Sequence, residues 1–361
     1  MLRTNQQAHI LDITDKLLQA IYSIPTEHDA DIRKNSAYTL QRLFYQLQHS
    51  NTAVATNELT KSFGWETQEI FVQHDVQELM RKLMERMEEK MKGTPHEKSL
   101  PDLFSGKTKT YISCINVPYE SSRIEEFWDI QLNVSGNKDL LESFQDWIQV
   151  ERLDGDNQYF AGDEYKLQDA NKGMIFMSFP DVLHLHLKRF LYDVQRDGML
   201  KINDRHEFPE EFDASPYLDK DADRSEPWIY QLHGVLVHSG DSYTGHYYAF
   251  LKPEKDGWWY KFDDDKVTRA TKREVFEENF GGPYKLPNGQ LRPYGPRKTP
   301  LMRPNNAYML VYFRKSRLDK ILCPVTKDDA PAHLQRKFEE EYAAQEARRR
   351  EREEQHLYLG V

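Results

Sequence analysis

One histidine in the C-terminal half of the chain has the surroundings of a catalytic base. His246 directly follows Gly245, which removes side-chain bulk beside the ring and allows a close backbone or ligand approach. Asp263 comes seventeen residues later and opens a run of three aspartates. Two strands joined by a hairpin would bring this carboxylate beside the imidazole, fix its tautomer and leave the other ring nitrogen as a base. Taken alone, two such residues are more often a surface histidine and an acidic turn.

A base of this kind needs a nucleophile to deprotonate, and cysteine or serine is the usual one. The chain has only two cysteines, Cys114 and Cys323. Cys114 lies within a strand-like run, which is typical of a buried and inert thiol, and Cys323 follows the last strand pattern. The Gly-x-Ser-x-Gly nucleophile elbow is absent. The residue types alone therefore identify no nucleophile.

Acidic residues open the strongest helical pattern of the chain. Asp75 and Glu78 share a helix face with Lys82, away from the Met/Leu stripe. Carboxylates at a helix start interact favourably with the helix dipole, and this explains them without a function. The alternative is a site for a cationic peptide segment, because carboxylates pair well with arginine.

Metal, membrane and nucleic-acid functions find little support in the composition. His184 and His186 could be ligands on one strand face, but no Cys or carboxylate follows at a matching spacing, so we predict no metal site. The formal net charge of −10 disfavours nucleic-acid binding and is compatible with a basic protein partner. Two isolated cysteines favour a reducing compartment. We expect neither a signal peptide nor a membrane span, since no sufficiently long apolar stretch exists.

The patterns that must position these residues change near residue 108. Before it, apolar residues at three- and four-residue spacings predict helices over 73–92 and around 38–48. After it, period-2 alternation and aromatic enrichment predict strands. Those strand patterns cover residues 108–117, 127–134, 181–192, 229–240, 246–253, 258–264 and 306–315. The chain is therefore predicted to be α+β, with helices first and an antiparallel sheet system after them. From about His333, mixed charges predict either a solvated helix with i,i+4 ion pairs or a connector to further domains.

Ten segments together resemble the ubiquitin-specific protease family, and within it the branch of the herpesvirus-associated enzyme and its fungal relatives. They occur in family order over most of the 361 residues. The segments are 40–50, 59–67, 73–79, 91–94, 150–159, 182–190, 202–209, 235–251, 261–267 and 306–314. The resemblance implies a papain-like fold with a helical thumb, a β palm and β fingers, here with its N-terminal part truncated. It also implies cleavage of the isopeptide bond after the C-terminal glycine of ubiquitin.

The resemblance assigns roles to the residues that match the family's motifs. His246 takes the general base, Asp263 the orienting carboxylate, and Asp264 the adjacent acid of the same motif. Gln73, Asp75 and Glu78 would bind the arginine-containing tail of ubiquitin. No cofactor or metal is expected, since the family's zinc-binding cysteine pairs are missing. The implied partners are ubiquitin and ubiquitinated proteins, with no nucleic acid or membrane, in the nucleus and cytoplasm.

The family also suggests how the chain is divided. We predict a divergent remnant of the Cys box over residues 1–15, a helical thumb over 16–107, and β fingers and palm over 108–316 carrying the His and Asp boxes. A charged helical connector to absent C-terminal domains would cover 317–361.

The Cys box is where the chain departs from the family pattern. Asn5, Gln6 and Ala8 resemble a remnant of the box, and in that register Ile10 occupies the place of the cysteine. An aliphatic side chain has no ionisable nucleophile, so the chain as written is predicted to be an inactive form of a thiol deubiquitinase domain. Two explanations remain open. An exon missing from the deduced coding sequence is favoured, and the alternative is a catalytically dead pseudo-enzyme that binds ubiquitin or acts as a scaffold.

Overall fold

The fold is taken from a computed structural model that describes residues 15–26, 35–49, 54, 56–62, 76–195, 197–255, 257–286, 288–294 and 299–358. The chain divides into two compact units. The first, here called the helical unit, is drawn from residues 1–99 and 323–361, and the second, the sheet unit, spans 100–322. No helix among the described residues is long and apolar enough to cross a bilayer.

The described part of the helical unit consists mainly of helices. They are α1 (Asp15–Tyr22), α2 (Ser36–His49), α3 (Asn57–Ser62), α4 (Val76–Met91) and α10 (Ala332–Tyr358). Helix α2 confirms the helix predicted around 38–48, and α4 confirms the described part of the helix predicted over 73–92. The fully buried amide of Gln41 in α2 donates to the carbonyls of Ile21 and Ile24, 2.8 and 2.9 Å away. These hydrogen bonds tie α2 to the backbone at the end of α1.

Helix α10 confirms the charged helix predicted after His333. Its first turns pack on α2, where the Arg42 guanidinium forms a bidentate ion pair with Glu341 at 2.7 and 2.9 Å and lies over the Phe338 ring. Residues 342–352 are all exposed. The helix is therefore anchored at its start and exposed to solvent over residues 342–352.

The sheet unit contains most of the secondary structure of the chain. Its helices are α5 (Ser99–Phe104, at the boundary of the two units), α6 (Leu140–Trp147), α7 (Gly162–Tyr165), α8 (Lys272–Val275) and α9 (Leu318–Ile321). Its first strands are β1 (Gly106–Cys114), β2 (Glu120–Phe127), β3 (Ile130–Asn133), β4 (Glu151–Leu153), β5 (Tyr159–Phe160), β6 (Leu167–Gln168), β7 (Ala170–Ser178), β8 (Val182–Lys188) and β9 (Phe190–Asp193). The later strands are β10 (Gly198–Lys201), β11 (Glu211–Asp213), β12 (Ile229–Gly240), β13 (Gly245–Leu251), β14 (Trp259–Asp263), β15 (Lys266–Ala270), β16 (Pro293–Tyr294), β17 (Thr299–Pro300) and β18 (Asn305–Arg314).

The largest sheet has eight strands and contains the candidate histidine. Its order is β15-β14-β13-β12-β18-β8-β3, with β11 pairing the first half of β12. One face packs into an aromatic core that includes Phe144, Phe176, Tyr230 and Tyr312. Strand β12 pairs with β11, β13 and β18, so it is the central element of this sheet.

A second sheet of four strands, β2-β1-β7-β4, extends the unit. Cys114 at the end of β1 belongs to a small core of its own with Ala161 and Ala170, against which Tyr119 and Tyr159 pack. Cys114 is buried, in agreement with the inert thiol that the sequence favours. The remaining strands form two-stranded ribbons, β9–β10, β5–β6 and β16–β17.

The α+β class predicted from the sequence is confirmed, and three details differ. The sheet system is not wholly antiparallel, because β3 pairs β8 in parallel. The single run predicted over 181–192 is two strands in different sheets, β8 and β9. Strands β2 and β7 were not predicted. Strand β2 is almost entirely exposed and half of its residues are charged, so it lacks the alternation on which the prediction depends.

Candidate functional site

The hairpin of β13 and β14 brings His246 and Asp263 together. The register pairs Ala249 with Phe262 and Phe250 with Lys261, which places His246 and Asp263 as diagonal neighbours on one face of the sheet. His246 Nε2 lies 2.7 Å from Asp263 Oδ1. Because an ionised carboxylate only accepts hydrogen bonds, Nε2 carries the proton and Nδ1 is left as the basic nitrogen.

The sheet face that carries His246 and Asp263 borders the aromatic core. Tyr248 and Phe250 point the same way as His246 and are buried in the aromatic core. Towards the end of the strands burial decreases, so the side chains of His246 and Asp263 are 38% and 32% exposed. The hairpin therefore has a rigid, apolar base and presents a half-buried imidazole at its rim, as a base that must meet a substrate requires.

Lys261 is a second partner of Asp263. Its ammonium donates to Asp263 Oδ2 over 2.7 Å and lies 4.1 Å from the centre of the Tyr248 ring. Desolvation raises the pKa of Asp263, but the hydrogen bonds and charges of Lys261 and His246 outweigh it, so that pKa lies below its ordinary value. The carboxylate stays ionised near neutral pH and can stabilise a protonated imidazole.

Asp264 follows in the turn between β14 and β15. Its backbone has φ of +56°, a left-handed conformation that aspartate tolerates better than most residues. Ligand atoms of His246, Asp263 and Asp264 all lie within 4.8 Å of one another, a spacing that could hold a cation. The ammonium of Lys261 already neutralises Asp263 and would repel a divalent ion, so this arrangement favours acid–base chemistry.

The loop before His246 is shaped by glycine and by an aspartate. Asp241 Oδ1 accepts hydrogen bonds from the backbone N–H groups of Tyr243 and Thr244 at 2.8 and 2.7 Å, which lower the pKa of Asp241. At Gly245 an added Cβ would lie 2.0 Å from Nε2 of His238. Glycine next to the histidine is thus explained by close packing of the His238 ring.

The other predicted site residues belong to other segments of the chain. Gln73, Asp75 and the segment with Ile10 fall outside the described residues. Glu78 lies in the first turn of α4 and forms an i,i+4 ion pair with Lys82 at 2.8 Å. His184 stacks on Phe104 in the interior, and burial lowers its pKa to about 4, which fits a neutral core histidine.

Sequence reasoning missed two lysines near the histidine. Lys261 carries a usable signal, since it lies two residues before Asp263 in a strand and must share its face. Lys201 has no such signal in the sequence. The tertiary fold brings it to the carbonyls of His238 and Gly240, which lie 37 and 39 positions further along the chain.

Comparison with known proteins identifies the family. The model of the family described as "Ubiquitin carboxyl-terminal hydrolase" matches residues 8–312, which include the hairpin of His246 and Asp263. The chain belongs to this family.

Individual relatives of the ubiquitin carboxyl-terminal hydrolase family are similar over nearly the whole chain. "Ubiquitin carboxyl-terminal hydrolase 15" of Schizosaccharomyces pombe is 55% identical over 357 residues, covering 99% of this chain and 31% of the relative. The protein of the same name from Saccharomyces cerevisiae is 50% identical over 353 residues, which cover 94% of this chain and 28% of the relative. "Ubiquitin carboxyl-terminal hydrolase 7" of Drosophila melanogaster is 45% identical over 357 residues, which cover 99% of this chain and 30% of the relative. The chain thus spans about a third of the length of these curated relatives.

Proposed function

We propose that this chain is the catalytic domain of a deubiquitinase, which cleaves ubiquitin from protein conjugates by thiol chemistry. The contact between His246 and Asp263 is the observation that carries the proposal. Membership of the ubiquitin carboxyl-terminal hydrolase family supports the reaction class.

The contact of Nε2 with Asp263 supports Nδ1 as the reactive nitrogen. With Nε2–H donating to Asp263, Nδ1 would take the proton of a cysteine thiol. The thiolate would attack the carbonyl carbon of the C-terminal glycine of ubiquitin, and the imidazolium would pass its proton to the departing lysine amine as the C–N bond breaks. Water would then attack the thioester, lose a proton to Nδ1 and release the ubiquitin carboxylate while the thiol is restored.

The proposed reaction also needs a cysteine nucleophile. In the register of the family's Cys box, Ile10 stands at the cysteine's place, and the chain holds only Cys114 and Cys323. Cys114 is buried in the core of the four-stranded sheet, away from the sheet that carries His246. We therefore propose that the chain as written is inactive and that the complete enzyme takes its thiol from an intact Cys box. Loss of a nucleophile typically lowers turnover by about six orders of magnitude.

The finer assignments extend the same proposal. Gln73, Asp75 and Glu78 would bind the basic tail of ubiquitin, and ubiquitinated proteins would be the substrates. We place the chain with its fungal relatives, and the 55% and 50% identity with the two fungal hydrolases 15 supports this placement. We propose a location in the nucleus and cytoplasm.

Hydrolysis of a ubiquitin C-terminal fluorogenic amide tests the proposal. Three proteins are compared: the chain as written, the chain with the segment around Ile10 replaced by Asn-Gln-Gly-Ala-Thr-Cys, and that restored chain with His246→Ala. We expect activity only in the restored chain. The matched His246→Ala variant separates the proposed base from adventitious thiol reactivity.

Binding of ubiquitin by the same proteins completes the test. If the restored chain binds ubiquitin but does not hydrolyse the amide, the roles given to His246 and Asp263 are wrong and a ubiquitin-binding pseudo-enzyme replaces the proposal. If the chain as written already hydrolyses the amide, its nucleophile is Cys114 or Cys323, and the inactivity proposed above is wrong.

A further inference from the structure

A buried lysine lies next to the loop that precedes His246. Lys201, at the end of β10, is 8% exposed and its ammonium donates to three backbone carbonyls. These belong to His238 at 3.1 Å, Gly240 at 3.0 Å and Pro304. An ammonium has three N–H donors, so the three carbonyls use all of them.

The position of these carbonyls in the sheet links Lys201 to the catalytic pair. His238 and Gly240 flank Ser239, and Ser239 is the residue that pairs with His246 across β12 and β13. Pro304 directly precedes Asn305, which pairs with Ser239 from the other side, and the Ser239 hydroxyl donates to the Asn305 side chain over 2.7 Å. Lys201 thus joins the ends of the two strands that support the backbone of His246.

The reverse face of the sheet completes this support. His238 packs against Gly245 so closely that no Cβ fits between them, and its ring contacts Phe190 and Tyr247 at 5.1 and 4.8 Å between centres. Burial, followed by the charge of Lys201, lowers the pKa of His238 to about 4, so this ring packs as a neutral group. Successive residues of β13 point to opposite faces, which puts this packing behind His246.

Burying the ammonium carries a cost that needs an explanation. Desolvation, followed by the charge of Arg189, lowers the pKa of Lys201 to about 7, with Asp241 opposing. An apolar side chain of similar length would fill the space without this penalty. What it would lack is the hydrogen bonding to the three strand-end carbonyls.

We propose that Lys201 is a positioning residue, which holds the ends of β12 and β18 so that the imidazole of His246 keeps its orientation towards Asp263. It acts through the backbone and does not touch the reacting atoms. The catalytic meaning of this orientation rests on the proposed function, but the orientation itself can be measured without any activity.

The test compares Lys201→Met with Arg314→Met as a matched control. Arg314 is a buried cation of the same strand pair that donates to the carbonyls of Pro227 and Glu226, at the opposite end of β18. Long-range ¹H–¹⁵N spectra of the labelled chain report which ring nitrogen of His246 carries the proton, and Asp263→Ala defines the signals of the released ring. We expect Lys201→Met to move these signals at least halfway to those of Asp263→Ala, and Arg314→Met to leave them in place.

Activity of the Cys-restored chain provides the second measurement. We expect Lys201→Met to lower kcat at least tenfold with KM within twofold of the parent, and Arg314→Met to change neither. A folded Lys201→Met with unchanged ring signals would overturn the proposal. Lys201→Gln is prepared in case the methionine variant does not fold; if both unfold while Arg314→Met folds, Lys201 serves folding and not positioning. If the restored chain is inactive but the ring signals move as expected, only the proposed function fails.

Discussion

Lys261 Nζ donates to Oδ2 of Asp263 over 2.7 Å, the carboxylate oxygen that His246 does not use. Lysine is thus one of the two groups that hold the pKa of Asp263 below its ordinary value against desolvation. Since the ionised carboxylate is the form that orients the imidazole, Lys261→Met should raise that pKa and move the acid limb of activity upward by about one pH unit. The pH dependence of kcat/KM in the Cys-restored chain measures it. The control is Lys266→Met, because Lys266 is exposed and pairs with Asp263 from β15. Identical acid limbs in the two variants would contradict the expectation.

Asparagine and alanine in place of Asp263 should differ in their effects. The side-chain carbonyl that Asp263→Asn introduces could still accept the Nε2–H hydrogen bond of His246, although the amide carries no charge to stabilise an imidazolium. Asp263→Ala removes both effects. We expect a loss in kcat/KM of about 10²- to 10⁴-fold for Asp263→Asn and a larger loss for Asp263→Ala in the restored chain. Equal losses would mean that the charge matters and the hydrogen bond does not.

Gly245→Ala should destabilise the sheet unit, because the new methyl group would meet the His238 ring at 2.0 Å. Overpacking of this kind costs about 1–3 kcal/mol. The double variant Gly245→Ala/His238→Ala removes the clashing ring and should recover part of the loss. Urea unfolding of the two single variants and the double variant gives the coupling free energy. Strictly additive losses would show that the clash is relieved by backbone movement.

Acid should destabilise the fold through its buried histidines. Burial lowers the pKa of His184, His206, His233 and His238 to about 4 in each case. The unfolded chain binds these protons below about pH 6.5, whereas the folded chain does not, so this stability is present above pH 6.5 and is lost between about 6.5 and 4. Thermal unfolding between pH 7.5 and 4.5 measures the loss.

A matched pair of variants isolates one of these protons. His233 Nδ1–H donates to the Lys252 carbonyl over 2.9 Å, and asparagine can supply the same donor. His233→Asn should therefore flatten the fall in unfolding free energy by about 1.4 kcal/mol per pH unit in that window. His96→Asn, at an exposed position, should leave the slope unchanged.

Two glutamates of α4 separate tail binding from helix stability. Glu78 and Glu85 each form an i,i+4 ion pair, with Lys82 and Arg81. If Glu78 binds the basic tail of ubiquitin, Glu78→Arg should weaken ubiquitin binding by at least tenfold, and Glu85→Arg should not. Calorimetric titration of the chain as written measures both, and Asp75→Arg should behave as Glu78→Arg does. Equal affinities of the two glutamate variants would count against the tail site.

The sequence predicts the structure well where residues close together in the chain decide it. Strand β12 has the bounds that its alternation predicts, 229–240, and α2 extends the predicted helix by two residues at its start and one at its end. The contact of His246 with Asp263 is also local, since one hairpin and the period of two decide it. The catalytic roles of these residues remain predictions.

Other features depend on the tertiary fold and have no pattern in the sequence. The parallel pairing of β3 with β8 joins residues about 55 positions apart, Ile130 and Leu185. In the sequence Lys201 resembles an ordinary surface lysine, but the fold buries it and places its ammonium among backbone carbonyls. The exposed strand β2 is held by pairing with β1, which supplies the order that its charged side chains do not predict.

His246 and Asp263 lie seventeen positions apart within one hairpin, and their contact is made wholly within the sheet unit. Contacts between residues this close in the chain form quickly during folding. A change in the segment around Ile10 is therefore expected to leave this hairpin intact. The proposed return of a thiol to that segment would not require the contact between His246 and Asp263 to be rebuilt.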